Sequence, residues 1–379
     1  MPAHIADDDS PTRPLSGSRR RSPRRAAVLF WAWCPSLVPA GLATAVGLIG
    51  LGTPEPGTRE VVTRASAALG PAGILELARQ SDAMNAPYYL LMHYWTAAAG
   101  DSITTLRIPS LVAVVLATAL TGELGRRILG PGIGLCAGLM LAVLPITSRY
   151  AQDATPYALA LLFATAATLL LYRTLDRPRW WAWTGYGLFV ALTGLMHVPA
   201  LLMLAGHAYT VSSRWRLSRQ PSLFWWLPVT VLSLVPPAPL ISLGVRQRTA
   251  SLTWRPATDW DAALLAPGAL TGSAAAGLLV IGLAFAARWP DRALIRELGV
   301  LAAAPPLLLI GASFLTGPLW APFHVLFVLP PITLCAAVAL RGLRLRAVLA
   351  IALVAALGVP QQRAIRQPEG HRTPAATAP

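Results

Sequence analysis

Polar residues interrupt this sequence only at long intervals. Apolar runs fill residues 26–51, 108–124, 130–147, 157–172, 180–196, 198–211, 223–245, 262–287, 298–315, 325–340 and 347–359. A helix crossing a bilayer needs about 20 apolar residues, with a range near 17 to 25. The pattern predicts an all-α fold, a polytopic membrane helical bundle of about 11 spans, in which 198–211 and 347–359 are the shortest crossings. Pro236-Pro237 and Pro305-Pro306 are expected to kink their helices. Between the first two runs, residues 52–84 are polar and mixed, helical in pattern and broken at Gly70-Pro71. Residues 88–98 are apolar but too short to cross. They read as a helix at the membrane interface, with Tyr and Trp at headgroup depth. The expected organisation is a disordered basic tail over 1–25, a transmembrane domain over 26–359 with a small outer loop subdomain over 52–107, and a flexible tail over 360–379.

Composition agrees with this pattern. Of the 379 residues, 55% are hydrophobic and 12% charged, against about 25% charged in a soluble domain. The net charge of +15 comes entirely from arginine, for the chain has no lysine. These arginines form small clusters between apolar runs and no single patch, which argues against a nucleic-acid partner. Their placement sets the topology. Arg126-Arg127, Arg173/Arg177/Arg179, Arg214/Arg216/Arg219, Arg288/Arg292/Arg296 and Arg341/Arg344/Arg346 fall on alternate connections, and with the tail they account for 20 of the 31 arginines. Positive charge is retained in the cytoplasm. The expectation is a multi-pass protein of the cell membrane, N-terminus cytoplasmic and C-terminal tail outside. Cys34, Cys136 and Cys335 lie in apolar runs and make neither a metal spacing nor a disulfide framework. The 13 tryptophans sit largely at span ends, as an aromatic belt.

The acids expected on the outer side are Glu55, Glu60, Glu76, Asp82, Asp101, Asp153, Asp259 and Asp261. The turn from Ser148 to Tyr157 places Arg149, Gln152 and Asp153 within five residues. On spacing alone it reads as a solvated loop with an interfacial ion pair, worth little. His93, His197 and His207 read as packed histidines, and Glu123 as the partner of Arg126-Arg127. No P-loop, HExxH or cysteine metal motif occurs, so neither a cofactor nor a metal is expected.

Four segments change the weight of that turn. Asn85-Ala86-Pro87-Tyr88-Tyr89-Leu90-Leu91-Met92-His93-Tyr94-Trp95 comes first, then Gly100-Asp101-Ser102 with Leu106-Arg107-Ile108-Pro109-Ser110. Gly125-Arg126-Arg127 follows, and then Ser148-Arg149-Tyr150-Ala151-Gln152-Asp153-Ala154-Thr155-Pro156-Tyr157. In order and spacing over residues 81–175 they resemble GT-C type glycosyltransferases of family 39 and the aminoarabinose-transferase-like proteins. Further along, Leu329-Pro330-Pro331 resembles a late helix of that family.

The resemblance implies transfer of a sugar from a polyprenyl-phosphate carrier to an acceptor (glycan, lipid or protein) at the outer face, among membrane lipids. Such a reaction needs a carboxylate to take the acceptor proton and arginine to hold the departing phosphate. Carried over residue by residue, the catalytic candidates are Glu60, Asp82 and Asp153. The substrate-binding candidates are Arg107, Arg149, Tyr88, Tyr89, His93 and Gln152. Glu60 and Asp153 are expected to line one outer cavity, with Arg149 and Arg107 facing the phosphate. Two positions depart from the family. Arg59 stands where it carries the acid preceding Glu60, and Ala321-Pro322-Phe323-His324 lacks the arginine of its PRY segment. An inactive relative that binds a lipid or partner, and a transporter or flippase, remain alternatives.

Overall fold

The computed structural model describes residues 23–219, 224–252, 260–288, 290, 292–317 and 319–371. Most of the N-terminal tail, Asp259 and the last eight residues lie outside them, and so does the side chain of Asp261.

Among the described residues every regular element is helical. Helix α1 (Pro23–Leu48) leads into a polar subdomain of α2 (Thr58–Ala68), α3 (Gly70–Gln80) and α4 (Ala86–Ala99). The break at Gly70 and the separate α4 are where the sequence placed them. The bundle continues with α5 (Ile103–Ile128), α6 (Pro131–Val143), α7 (Pro145–Ala151), α8 (Tyr157–Asp176), α9 (Trp180–Met196) and α10 (Met203–Ser218). It ends with α11 (Trp226–Ser233), α12 (Ala238–Leu252), α13 (Trp260–Thr271), α14 (Ala274–Phe285), α15 (Arg292–Thr316), α16 (Leu329–Ala339) and α17 (Arg344–Ile365).

Five helical segments are long and apolar enough to cross a membrane, and eight if three bent pairs count as one each. The bent pairs are α6 with α7 (66°), α11 with α12 (55°) and α13 with α14 (101°). The other three expected crossings are α1, α9 and α10, which are shorter or less apolar. Pro236 and Pro237 fall in the α11–α12 break, as expected. The α13–α14 break turns on Gly272, whose φ of 77° suits a residue without Cβ. Pro305 and Pro306 instead sit inside the continuous α15. Neighbouring groups in a bundle can take up the backbone bonds that a proline frees.

Backbones approach closely where α1, α5 and α6 cross. A Cβ on Gly122 would strike the Pro35 carbonyl, and one on Gly134 would strike the Gly122 carbonyl. Small residues at such crossings let helices gain dispersion contacts that lipid cannot supply. Gly122→Ala should therefore lower thermal stability in detergent by about 1–3 kcal/mol, the usual cost of overpacking; unchanged unfolding would refute this crossing.

The bundle has two poles. At one, Arg126 and Arg127 pair with Glu123, and Arg214 pairs with the buried Glu297, which also accepts from Tyr172. At the other lie the subdomain, the α7–α8 turn and the end of α17. Here the hydropathy boundary at 359 proves short. Helix α17 runs on to Ile365, and residues 368–371 form a further turn with His371 buried. Arg366 donates to the carbonyls of Ile49 (2.9 Å) and Val46 (2.8 Å). The Glu55 amide donates to Pro368 O at 2.8 Å. Up to residue 371 the expected flexible tail is thus an ordered strap, because its polar groups satisfy carbonyls left open at the end of α1.

Candidate functional site

Glu60 lies in the first turn of α2, and its carboxylate accepts from the Gly57 amide (3.1 Å), part of how that helix starts. The same carboxylate faces inward. Arg107, in the first turns of α5, donates Nε to Oε1 and Nη2 to Oε2, both at 2.8 Å, and the Ala154 amide adds a bond of 3.0 Å. Arg107 also donates Nη1 to Leu51 O at 2.8 Å, and its Nη2 lies 3.2 Å from His371 Nδ1. Neither side chain of the pair is exposed. Burial pushes the Glu60 carboxyl up, but the bonds and charge of Arg107 outweigh it and hold the group well below the usual carboxylate range.

This arrangement corrects two expectations. Glu60 has no lone pair left for an acceptor proton, and Arg107 is fully buried with its donors turned to Glu60, Leu51 and His371. They form a sealed structural pair. Arg59 points away from Glu60, because adjacent residues on a helix point about 100° apart. Arg59 instead lies over the ring of Phe323, 4.0 Å from its centroid, and 5.6 Å from that of Tyr157.

Beside the sealed pair sits a less satisfied one. Helix α6 stops at Leu144-Pro145, and the bend lays the short α7 across the pole. Arg149 comes from α7 and Asp153 from the turn after it. Their Nη1 and Oδ2 are 3.6 Å apart, a contact but not a hydrogen bond. Arg149 Nη1 is buried and has no hydrogen-bond partner, while the side chain as a whole keeps 25% exposure. Asp153 is buried. Burial pushes its carboxyl up, Arg149 pulls it down, Glu60 raises it again, and it stands at about 6. Two neighbouring carboxylates are thus driven apart: Glu60 is clamped ionised, and Asp153 is poised near neutrality. Carboxylate oxygens of Glu60 and Asp153 and a ring nitrogen of His371 lie within 4.8 Å of one another, and both acids are buried.

An aromatic rim adjoins this pair. The Tyr157 ring lies 5.6 Å from Tyr150 and 5.0 Å from His197, and His197 is 5.1 Å from His324. His324 Nδ1 is 2.9 Å from Leu319 O. Sequence reasoning left Arg59, His324 and His371 out of the site and gave His197 a packing role. The available signal was the pair of family departures at Arg59 and Phe323, which the fold brings into contact.

Most of the remaining candidates have structural partners. Gln152 is buried and caps α1 through the carbonyls of Gly47 (2.9 Å) and Ile49 (2.7 Å), while its Oε1 is buried without a hydrogen-bond partner. His93 Nδ1, 2.8 Å from Ala67 O, ties α4 to α2. Tyr88 is fully buried, and the Tyr89 hydroxyl donates to Asp82 at 2.6 Å. His93 and Tyr89 thus hold structural bonds, while the Tyr88 hydroxyl is buried without a hydrogen-bond partner. Asp82 also accepts from Asn85 (2.9 Å) and keeps partial exposure, so it remains a second candidate base. Among the described residues Glu60, Asp153 and His371 could hold a metal by distance alone. The Arg107 guanidinium, bound to both Glu60 oxygens, already supplies the cation there.

Comparison with known proteins places this geometry. A family model for dolichyl-phosphate-mannose-protein mannosyltransferase matches residues 86–242. No curated protein matches the chain. Two crystal structures of ArnT from Cupriavidus metallidurans share its fold. The apo form gives a TM-score of 0.58 at 17% identity, covering 89% of this chain and 65% of that one. The form bound to undecaprenyl phosphate gives 0.57 at 18% identity with the same coverage. The chain therefore spans about two-thirds of the length of those ArnT chains. The resemblance to GT-C glycosyltransferases extends from the sequence motifs to the polytopic membrane fold.

Proposed function

We propose that this chain is a membrane glycosyltransferase that moves a sugar from a polyprenyl-phosphate carrier to an acceptor at the pole built by α2, α4, α7 and the end of α17. That pole faces outward in the cell membrane, and the arginine-marked pole and the N-terminus face the cytoplasm. The observation carrying this reading is the unsatisfied Arg149 guanidinium beside the poised Asp153 carboxylate, on a fold shared with a protein solved with undecaprenyl phosphate bound.

The chemistry assigns one role to each group. The acceptor hydroxyl attacks the anomeric carbon while Asp153 takes its proton. The bond from that carbon to the carrier phosphate breaks, and its electron pair leaves with the phosphate. Arg149 binds the phosphate oxygens through donors that the protein leaves unused. Arg59, held over Phe323 and Tyr157, supplies a second cation where the family's PRY arginine is missing. Positive charge developing on the sugar is stabilised by the Asp153 carboxylate before it is protonated. Glu60 and Arg107 hold the 152–156 turn through the Ala154 amide.

Thin-layer analysis of membranes fed radiolabelled polyprenyl-phosphate sugars, with and without the protein, tests the reading; a labelled product dependent on the protein is expected. Carrier binding without product from any donor would favour the inactive-relative reading, for which Arg59 in place of the family's acid is the motivating residue. In the active case, Arg149→Gln should lower kcat/KM for the lipid donor about 10- to 150-fold, matching roughly 1.5–3 kcal/mol for a charge-assisted hydrogen bond. An undiminished kcat/KM would remove Arg149 from the phosphate site.

A further inference from the structure

His371 closes the candidate site from a segment far away in sequence. The strap delivers it: Arg366 fastens to Val46 and Ile49, the Glu55 amide holds Pro368, and the His371 carbonyl lies against Gly57 so closely that a Cβ there would clash. One face of the ring is engaged. Nδ1 is 3.2 Å from Arg107 Nη2, which can only donate, and 3.4 Å from Glu60 Oε2. With Nδ1 accepting from Arg107, the proton of the neutral ring lies on Nε2, and this tautomer is part of the proposal. Burial lowers the ring to about 4 and keeps it neutral. Nε2 is buried and has no partner among the described residues. The Asp153 carboxylate lies within 4.8 Å of a ring nitrogen, and its contact with Arg149, at 3.6 Å, is longer than a hydrogen bond.

We propose that His371 is a positioning residue whose Nε2–H orients the Asp153 carboxylate and favours its ionised form. This rests on the reading of Asp153 as the group that takes the acceptor proton. The other charged or titratable groups acting on Asp153 are Arg149 from α7, Glu60 and Arg59 from α2, and Arg107 from α5; Tyr88 and Tyr150 lie close by. Of these only the Tyr88 and Tyr150 hydroxyls are neutral donors; the His371 ring differs in being held at its other nitrogen by Arg107 and Glu60. Arg149 cannot take this part, since its guanidinium must release the carboxylate to reach a phosphate.

The test uses the full chain in lipid nanodiscs. An infrared pH titration follows the protonated carboxyl band that disappears in Asp153→Asn. The wild-type midpoint is expected at about 6. His371→Phe keeps bulk but loses the donor, and should raise the midpoint by about one unit. The acid limb of the transfer rate should move with it, leaving the donor KM unchanged. His371→Gln, which keeps a donor, should restore both. An unmoved midpoint in His371→Phe overturns the proposal whether or not transfer is detected. A wild-type protein without transfer sinks the glycosyltransferase reading but leaves the infrared result to decide the role of His371. Should His371→Phe fail to fold, nitrogen NMR of histidine-labelled wild-type protein decides, and a resonance showing the proton on Nδ1 of His371 overturns the proposal.

Discussion

An Asp153→Asn variant is expected to lower the transfer rate by about 10²- to 10⁴-fold, the usual contribution of a positioned general base, while retaining the fold. Asparagine has nearly the same shape and still packs beside Arg149, but it cannot accept the proton. The pH dependence follows from the environment of this one group. Burial raises the Asp153 carboxyl to about 6, so wild-type activity should fall as the pH drops through 6. The sign for stability is opposite. A carboxyl raised by folding disfavours the folded state while ionised, and that penalty is relieved as the pH falls through 6. Glu60 runs the other way: its pairing stabilises the fold at neutral pH and is lost only in strong acid, below the ordinary carboxylate range. Rate measurements from pH 5 to 8 on both proteins check the prediction. If Asp153→Asn keeps full activity and Asp82→Asn loses it, the base is Asp82.

The second large effect belongs to Arg107→Leu. It leaves a carboxylate buried without its cation, and breaking such a pair costs about 3–5 kcal/mol. The variant should be recovered from membranes poorly and unfold at a lower temperature in detergent. Adding Glu60→Leu should recover most of the loss, because a buried pair replaced by apolar side chains is often neutral or better. Wild-type unfolding of Arg107→Leu alone would mean that water reaches the pair. This experiment separates structure from chemistry at the pole, since Arg107 fails through folding and Arg149 through donor binding.

The bundle was readable from hydropathy because a bilayer imposes a length on every crossing. Arginine spacing located the connections for the same reason. The expected Glu123–Arg126/Arg127 cluster formed because its members are three and four residues apart on one helix. Pairing at the other pole was not readable. Glu60 meets an arginine 47 residues away and ignores the one beside it, which depends on how α2 rests on α5 and on nothing local. Gln152 and Asp153 are neighbours in one motif, yet one caps a helix and the other faces the site. Only the tertiary position of the turn divides these roles. The tail after 359 misled because Pro360, Gln361, Gln362, Arg363 and Arg366 look like solvent-exposed chain, whereas Arg366 donates to the open end of α1 and Gln362 to Ser148.

The strap also sets the order in which the protein can be finished. Arg366 bonds a carbonyl 320 positions earlier, and His371 reaches Glu60 across a separation of 311. Ribosomes add about 5–20 residues per second, so the first helices wait on the order of tens of seconds for the groups that complete them. Until residues 366–371 are made, this pole lacks the groups that cover Glu60 and bond the carbonyls at the end of α1. Arg366 and the turn over residues 368–371 close it. A nascent chain released early would carry every crossing but the last few turns, and would still present a hydrated, unfinished pole to the proteases that survey membrane proteins.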